Sequence, residues 1–214
     1  MRAVLVAGGT IDEEKLQETL KDRIYVAAAD SGADTLKKLS LKPDLLIGDF
    51  DSISQDTLVA YKQGGLECLS FSPEKDASDS ELALSILKDR GYDEIEFFGA
   101  LGGRWDHSLS NLFLIYRLFQ EGVRVYLRGD CDVRVLTQTN VIEKSSRYFS
   151  LFRISPENTV ISIRGAKYNI DREELPWASS LGLSNEWKDD VVEITVHEGA
   201  VLFIESNEKE RHSK

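Results

Sequence analysis

The sequence predicts an α/β domain followed by an all-β domain: a mostly parallel sheet with helices on both faces, then an antiparallel β-sandwich or barrel. Up to about residue 130, short and nearly continuous apolar runs alternate with stretches of helical periodicity. Strands that are apolar along their whole length belong to parallel sheets covered on both faces. Beyond that point the runs become β-branched and aromatic, separated by turn-prone residues with no long helix between them. A chain of 214 residues, 42% hydrophobic and 29% charged, is long enough to bury the cores this requires.

Taken in order, residues 3–7 and 24–29 read as buried strands with a polar, helix-favouring stretch over 13–21 between them. A short helix over 34–39 leads to a strand over 44–47. A helix over 55–62 then ends at Gly64-Gly65. Residues 80–90 carry Leu82, Ala83, Ile86 and Leu87 at helical spacing, with Gly91 placed to close the last turn. A strand over 94–98, a helix over 108–120 and a strand over 123–127 complete the first texture. The second contains strands over 133–136, 148–152, 159–163, 191–196 and 201–204, with turns at Ser155-Pro156-Glu157-Asn158 and His197-Glu198-Gly199. The domains are accordingly expected to be 1–135 and 136–214, with a polar tail over 207–214 that frays.

Composition narrows the function. The net charge is −11, from 37 acids against 26 bases. Phosphate backbones are held by Lys and Arg clusters, so a nucleic-acid partner is not expected. The amino terminus turns charged after a few apolar residues and no run approaches bilayer length, so neither a signal peptide nor a membrane span is expected. Cys68 and Cys131 are far apart, which fits a reducing cytoplasm better than a disulfide framework. His107, His197 and His212 are scattered, so any bound metal should be hard and oxygen-ligated. The chain lacks a G-x-x-x-x-G-K-[ST] phosphate loop, a G-x-G-x-x-G fingerprint and a G-x-S-x-G elbow.

Ligands of an α/β sheet bind at the carboxyl ends of its strands. Here those ends carry Gly8-Gly9-Thr10, Asp30-Ser31-Gly32, Asp49-Phe50-Asp51-Ser52, Lys75-Asp76-Ala77-Ser78-Asp79 and a Gly99-to-His107 loop. In extended chain Asp49 and Asp51 point to the same side and can face one cation. Alternatively, Asp51 or Ser52 caps the next helix. Asp76 and Asp79 share a face if a helix starts there, although taken alone capping is the better account of them. Together the four acids form an oxygen-ligand set suited to Mg²⁺ with substrate phosphates. Asp30 either caps a helix or reaches the same cavity. Arg104, after two glycines, can grip phosphate oxygens or pair with nearby acids. Asp106 is expected to cap the helix at Ser108, His107 and Asn111 share that helix's amino-terminal face, and Trp105 is expected to pack.

These residues resemble, in order, the motif series of the thiamine pyrophosphokinase (thiamine diphosphokinase) family. The segments are Asp30-Ser31-Gly32-Ala33, Gly48-Asp49-Phe50-Asp51-Ser52, Asp76-Ala77-Ser78-Asp79-Ser80-Glu81, and Gly102-Gly103-Arg104-Trp105-Asp106-His107 with Asn111. Gly165-Ala166-Lys167-Tyr168 and Leu183-Ser184-Asn185-Glu186 resemble motifs of that family's second domain. Ser31 and Ser78 depart from the usual glycine and threonine without removing a carboxylate. The resemblance implies a homodimer whose subunits share the site, and transfer of diphosphate from ATP to the hydroxyethyl group of thiamine with release of AMP. It implies catalytic roles for Asp49, Asp51, Asp76, Asp79 and Arg104, with the four acids holding Mg²⁺ and Asp51 or Asp76 taking the hydroxyl proton. It also implies nucleotide contacts from Asp30, Arg104, Asp106, His107 and Asn111, and thiamine contacts from Tyr168, Ser184, Asn185 and Trp187. Diphosphoryl transfer to another alcohol such as a pterin, or a non-catalytic nucleotide-binding module, are the competing readings.

Overall fold

The computed structural model describes residues 1–72, 74 and 76–207. Lys75 and the tail beyond Asn207, with His212, lie outside the described residues. The chain forms two compact units, Met1–Gly129 and Asp130–Lys214.

The first unit runs β1 (Arg2–Val6), α1 (Glu13–Thr19), β2 (Tyr25–Ala29), α2 (Gly32–Lys38), β3 (Leu45–Gly48), α3 (Gln55–Gln63), β4 (Glu67–Ser70), α4 (Asp79–Asp89), β5 (Glu94–Phe98), α5 (Trp105–Gln120) and β6 (Arg124–Arg128). Its strands lie in the order β6-β5-β1-β2-β3-β4. Every neighbouring pair is parallel. Alternate residues of β1 show how the helices cover both faces. Val4 and Val6 join Leu16, Leu36, Ile53 and Tyr61 in a core shared with α1, α2, α3 and their loops. Ala3 and Leu5 point the other way and are equally buried, on strands that α4 packs across.

Strand β4 has no counterpart in the apolar pattern. Among the described residues it pairs only with β3, and its four residues are exposed or half-buried, so an edge strand of this kind needs no continuous apolar run. Helices α4 and α5 begin earlier than their apolar periodicity suggests. Ser78 accepts the Glu81 N–H at 3.2 Å, making Ser78-Asp79-Ser80-Glu81 a capping-box sequence that starts α4 at Asp79. Helix α5 starts at Trp105 with Arg104 in the cap position, so Asp106 is not the cap but the second helical residue.

The second unit is an antiparallel β-sandwich of β7 (Cys131–Glu143), β8 (Tyr148–Arg153), β9 (Val160–Arg164), β10 (Ile170–Glu174), β11 (Asn185–Glu186) and β12 (Val191–Ser206). Strand β7 runs through the expected division at 135. The sequence over 191–204 reads as two strands separated by a turn, but it forms one strand with an irregularity near His197–Ala200. Before the irregularity β12 lies between β7 and β9, and after it between β7 and β8. A single strand thus serves both layers. Phe149 is central to their core, 5.3 Å edge-on from Trp187 and 5.8 Å from Phe203.

No helix among the described residues is long and apolar enough to cross a membrane. Cys68 and Cys131 are half-buried and form no disulfide with each other. In β5 the carboxylate of Glu96 is buried and takes Arg2 Nη2 at 2.7 Å and Arg128 Nε at 3.0 Å, clamping the three adjacent strands β1, β5 and β6. Glu96→Ala is expected to lower unfolding free energy by about 1–3 kcal/mol in a urea titration, with a smaller loss for Glu96→Gln.

Candidate active site

Strands β1 and β5 are neighbours, yet β2 follows on one side and β6 on the other. Loops leaving such a pair diverge and open a crevice at the strands' carboxyl ends. Here the two loops first run together: the N–H groups of Ala7, Gly9 and Thr10 donate to the carbonyls of Phe98, Gly99 and Leu101 at 2.9, 3.0 and 3.0 Å. Outside them lies a cleft of about 540 Å³, lined by Gly8, Gly9, Asp30, Asp79, Arg104 and Asn111 among others.

The acids gather differently from the expected set. Carboxylate oxygens of Asp30, Asp49 and Asp79 lie within 4.8 Å of one another. Asp51 and Asp76 are exposed and outside this group. The reason for Asp51 is local. The same-side argument requires extended chain between the two aspartates, but Phe50 adopts φ 66°, and the Asp51 N–H folds back to Asp49 Oδ1 at 3.0 Å. Asp76 lies in the loop before the Ser78 cap, so it shares no helical face with Asp79. Helix capping does not claim these acids either. Helix α3 is capped at Ser54, whose N–H and hydroxyl donate to Asp34 of α2 at 3.0 and 2.5 Å.

Asp30 takes the third place because the backbone lets it. It sits at φ 42°, its N–H bonded to Ile47 O at 3.0 Å. Gly48 lies directly under its carboxylate: a Cβ there would stand 1.7 Å from Asp30 Oδ1. The Asp30 carboxyl titrates at about 7. Burial is the largest cause, followed by the hydrogen bond and charge of Asp79. The Phe50 N–H, 3.3 Å from Oδ1, works against them. Such a group needs a proton or a cation, and three oxygen donors this close suit a hard divalent ion.

Across the cleft, Arg104 presents a two-pronged guanidinium. Its Nε and Nη2 bond Asp106 at 3.1 and 2.5 Å, both side chains being exposed. The guanidinium, helped by the His107 N–H, holds the Asp106 carboxyl down at about 2. Asn111 is buried and donates to Ala100 O at 2.7 Å. Ser108 accepts the Gly102 N–H and donates to Arg104 O, both at 3.1 Å, a stitch in the glycine loop that residue type alone does not announce. His107 lines the cleft. Trp105 does not pack and is 89% exposed.

Of the residues expected at thiamine, Tyr168 is exposed. Asn185 is buried, its amide bridging the N–H and C=O of Tyr168 at 3.0 and 2.7 Å, so it shapes the Tyr168 turn. Ser184 is exposed at φ 53°, its N–H held by Ser150 Oγ at 3.0 Å. Trp187 belongs to the core cluster rather than to an open aromatic face, because its ring fills the space beside Phe149.

With EDTA present, Asp30 gives a testable sign. Its folded value of about 7 lies above the unfolded 3.8. Its contribution to stability is therefore complete below about pH 4 and lost as the pH rises through about 7. The melting temperature of the native chain is expected to fall over that interval relative to Asp30→Asn. Parallel profiles for the two proteins would refute the assignment.

Residues 16–127 match the family model described as the thiamin pyrophosphokinase catalytic domain, and 138–201 match its vitamin B1 binding domain. Thiamine pyrophosphokinase of Bacillus subtilis is 27% identical over 191 residues, covering 84% of this chain and 86% of that protein. Thiamine pyrophosphokinase 1 of Oryza sativa subsp. japonica is 27% identical over 170 residues, covering 74% of this chain and 64% of the rice protein. The crystal structure of the Bacillus subtilis enzyme superposes with a TM-score of 0.87 at 25% identity, covering 98% of this chain and all of the other. A thiamin pyrophosphokinase family protein from Enterococcus faecalis superposes at 0.82 with 26% identity, covering 98% of this chain and all of that one. With both domain models matched in order along one chain, this protein belongs to the thiamin pyrophosphokinase family.

Proposed function

We infer that the chain transfers the diphosphate of ATP to the hydroxyethyl oxygen of thiamine, releasing AMP. The observation that carries this reading is the convergence of Asp30, Asp49 and Asp79 in a cleft beside two glycine loops and Arg104. In this reading Asp30, Asp49 and Asp79 hold Mg²⁺, a donor set of hard oxygens that fits the ion. When bound, the ion neutralises charge on the phosphate oxygens.

The chain's own part is positioning and electrostatics, which dominate phosphoryl transfer. The glycine loops let backbone N–H groups approach a polyphosphate closely. Arg104 turns its fork from Asp106 to phosphate oxygens. His107 and Asn111 shape the nucleotide end, with Asp106 beside them. The attacking group is the substrate's hydroxyl, so no protein nucleophile is needed. Asp51 and Asp76, outside the trio, are the candidates for taking its proton. Tyr168 and Ser184 offer thiamine an exposed aromatic face and a turn, while Asn185 and Trp187 support them from within the β-sandwich. A homodimer with shared sites, a cytoplasmic location and no nucleic-acid or membrane partner complete the proposal. No observation favours a pterin acceptor or a non-catalytic module.

Incubation with ATP, Mg²⁺ and thiamine, followed by chromatography, is expected to yield AMP and thiamine diphosphate in equal amounts. ADP as the product, or no turnover with thiamine, would overturn the reading. Asp79→Asn is expected to lower kcat/KM on the order of 100-fold or more with the fold retained, judged by circular dichroism. Sedimentation under assay conditions is expected to give a dimer, and an active monomer would refute the shared site.

A further inference from the structure

We propose that Phe50 is a positioning residue that fixes the acid cluster through a strained backbone held in place by its half-buried ring; this rests on the proposed cation-binding role of Asp30, Asp49 and Asp79. Phe50 occupies the left-handed region at φ 66°. A bulky side chain avoids that region unless its surroundings overrule the preference. A glycine would adopt the turn freely, so an aromatic residue there calls for a physical reason, and its side chain supplies one.

The ring packs against the core formed by strands β1–β3 and helices α1–α3. Lys62, at the end of α3, places Nζ 5.4 Å from the ring centroid, a cation–π contact. On the main chain, the Phe50 N–H reaches Asp30 Oδ1 at 3.3 Å. Its carbonyl side leads into the turn in which the Asp51 N–H bonds Asp49 Oδ1 at 3.0 Å. One residue therefore touches one carboxylate through its N–H and adjoins the turn that holds a second, while its side chain packs on the core. The far end of the same loop is pinned independently, where Ser54 bonds Asp34. With one end tied to α2, the free variable in the loop is the turn at Phe50, and the ring settles it.

A glycine at this position would remove the conformational preference and the anchor together, so the loop would sample several turns. A leucine keeps an apolar anchor of similar bulk. The decisive measurement is Mn²⁺ binding to the full chain without nucleotide, read from the electron paramagnetic resonance of the free ion, with melting temperature followed in EDTA. Groups that orient metal ligands without touching the metal typically contribute about 10–100-fold to affinity. Phe50→Gly and Phe50→Ala are expected to weaken Mn²⁺ binding at least about tenfold, and Phe50→Leu to stay within about threefold of the native chain. Phe50→Gly, free of the left-handed penalty, is expected to melt above Phe50→Ala.

Native-like Mn²⁺ affinity in both small-residue variants, with Asp79→Asn impaired, would overturn the positioning role and leave the cation site standing. If Asp79→Asn also binds Mn²⁺ as the native chain does, the site reading itself falls and the proposal with it.

Discussion

The carboxylates of Asp30, Asp49 and Asp79 meet within 4.8 Å at the carboxyl edge of a parallel sheet. Like charges at such a separation repel by about 1 kcal/mol per pair in water and about 4 kcal/mol at the lower effective dielectric near a protein surface. The surrounding structure reads as the apparatus that enforces this meeting. Gly48 makes room beneath Asp30, the left-handed backbone at Asp30 and Phe50 turns the chain ends inward, and the Ser78 cap sets Asp79 on the first turn of α4. None of these is the lowest-energy local choice in isolation except the cap. They persist because both faces of the sheet are filled, so strand ends cannot retreat without opening the core.

That division of labour separates the two units. The α/β unit supplies rigidity at one edge, with β1 and β5 zipped beyond their ends by three further backbone hydrogen bonds. The β-sandwich supplies turns held from inside, such as the Tyr168 turn bridged by the buried amide of Asn185. Its long strand β12 changes partners midway, which lets one segment of chain hold two layers in register.

Much of this was legible in the residues. Strands such as β1 and β5 declare themselves because both faces are buried and both must be apolar. The site's location followed from placing acids and glycines at strand ends, and the family from the order of those motifs. What escaped did so for physical reasons. Strands β4 and β10 are edges with exposed residues, and neither leaves an apolar signature. Asp51 looked equivalent to Asp49 because alternation assumes extended chain, and one positive φ at Phe50 cancels the assumption. The residues leave Asp30 open between a helix cap and the acid cavity, because its approach to Asp79 depends on a spatial neighbour, Gly48, that is eighteen residues away in sequence. Trp187 carries the same aromatic label whether it fills a core or faces a ligand, and only the proximity of Phe149 decides.

The pairing of Arg104 with Asp106 alters what ligand capture means at this cleft. The guanidinium arrives with its own counterion, supplied two residues along the chain and never lost to diffusion. In the proposed reading, an incoming phosphate would have to trade places with this tethered carboxylate rather than meet an idle cation. The pairing offsets the Arg104 charge locally, in a strongly acidic protein of net charge −11. In that reading a polyphosphate, making several simultaneous contacts, would complete the exchange more readily than a simple anion.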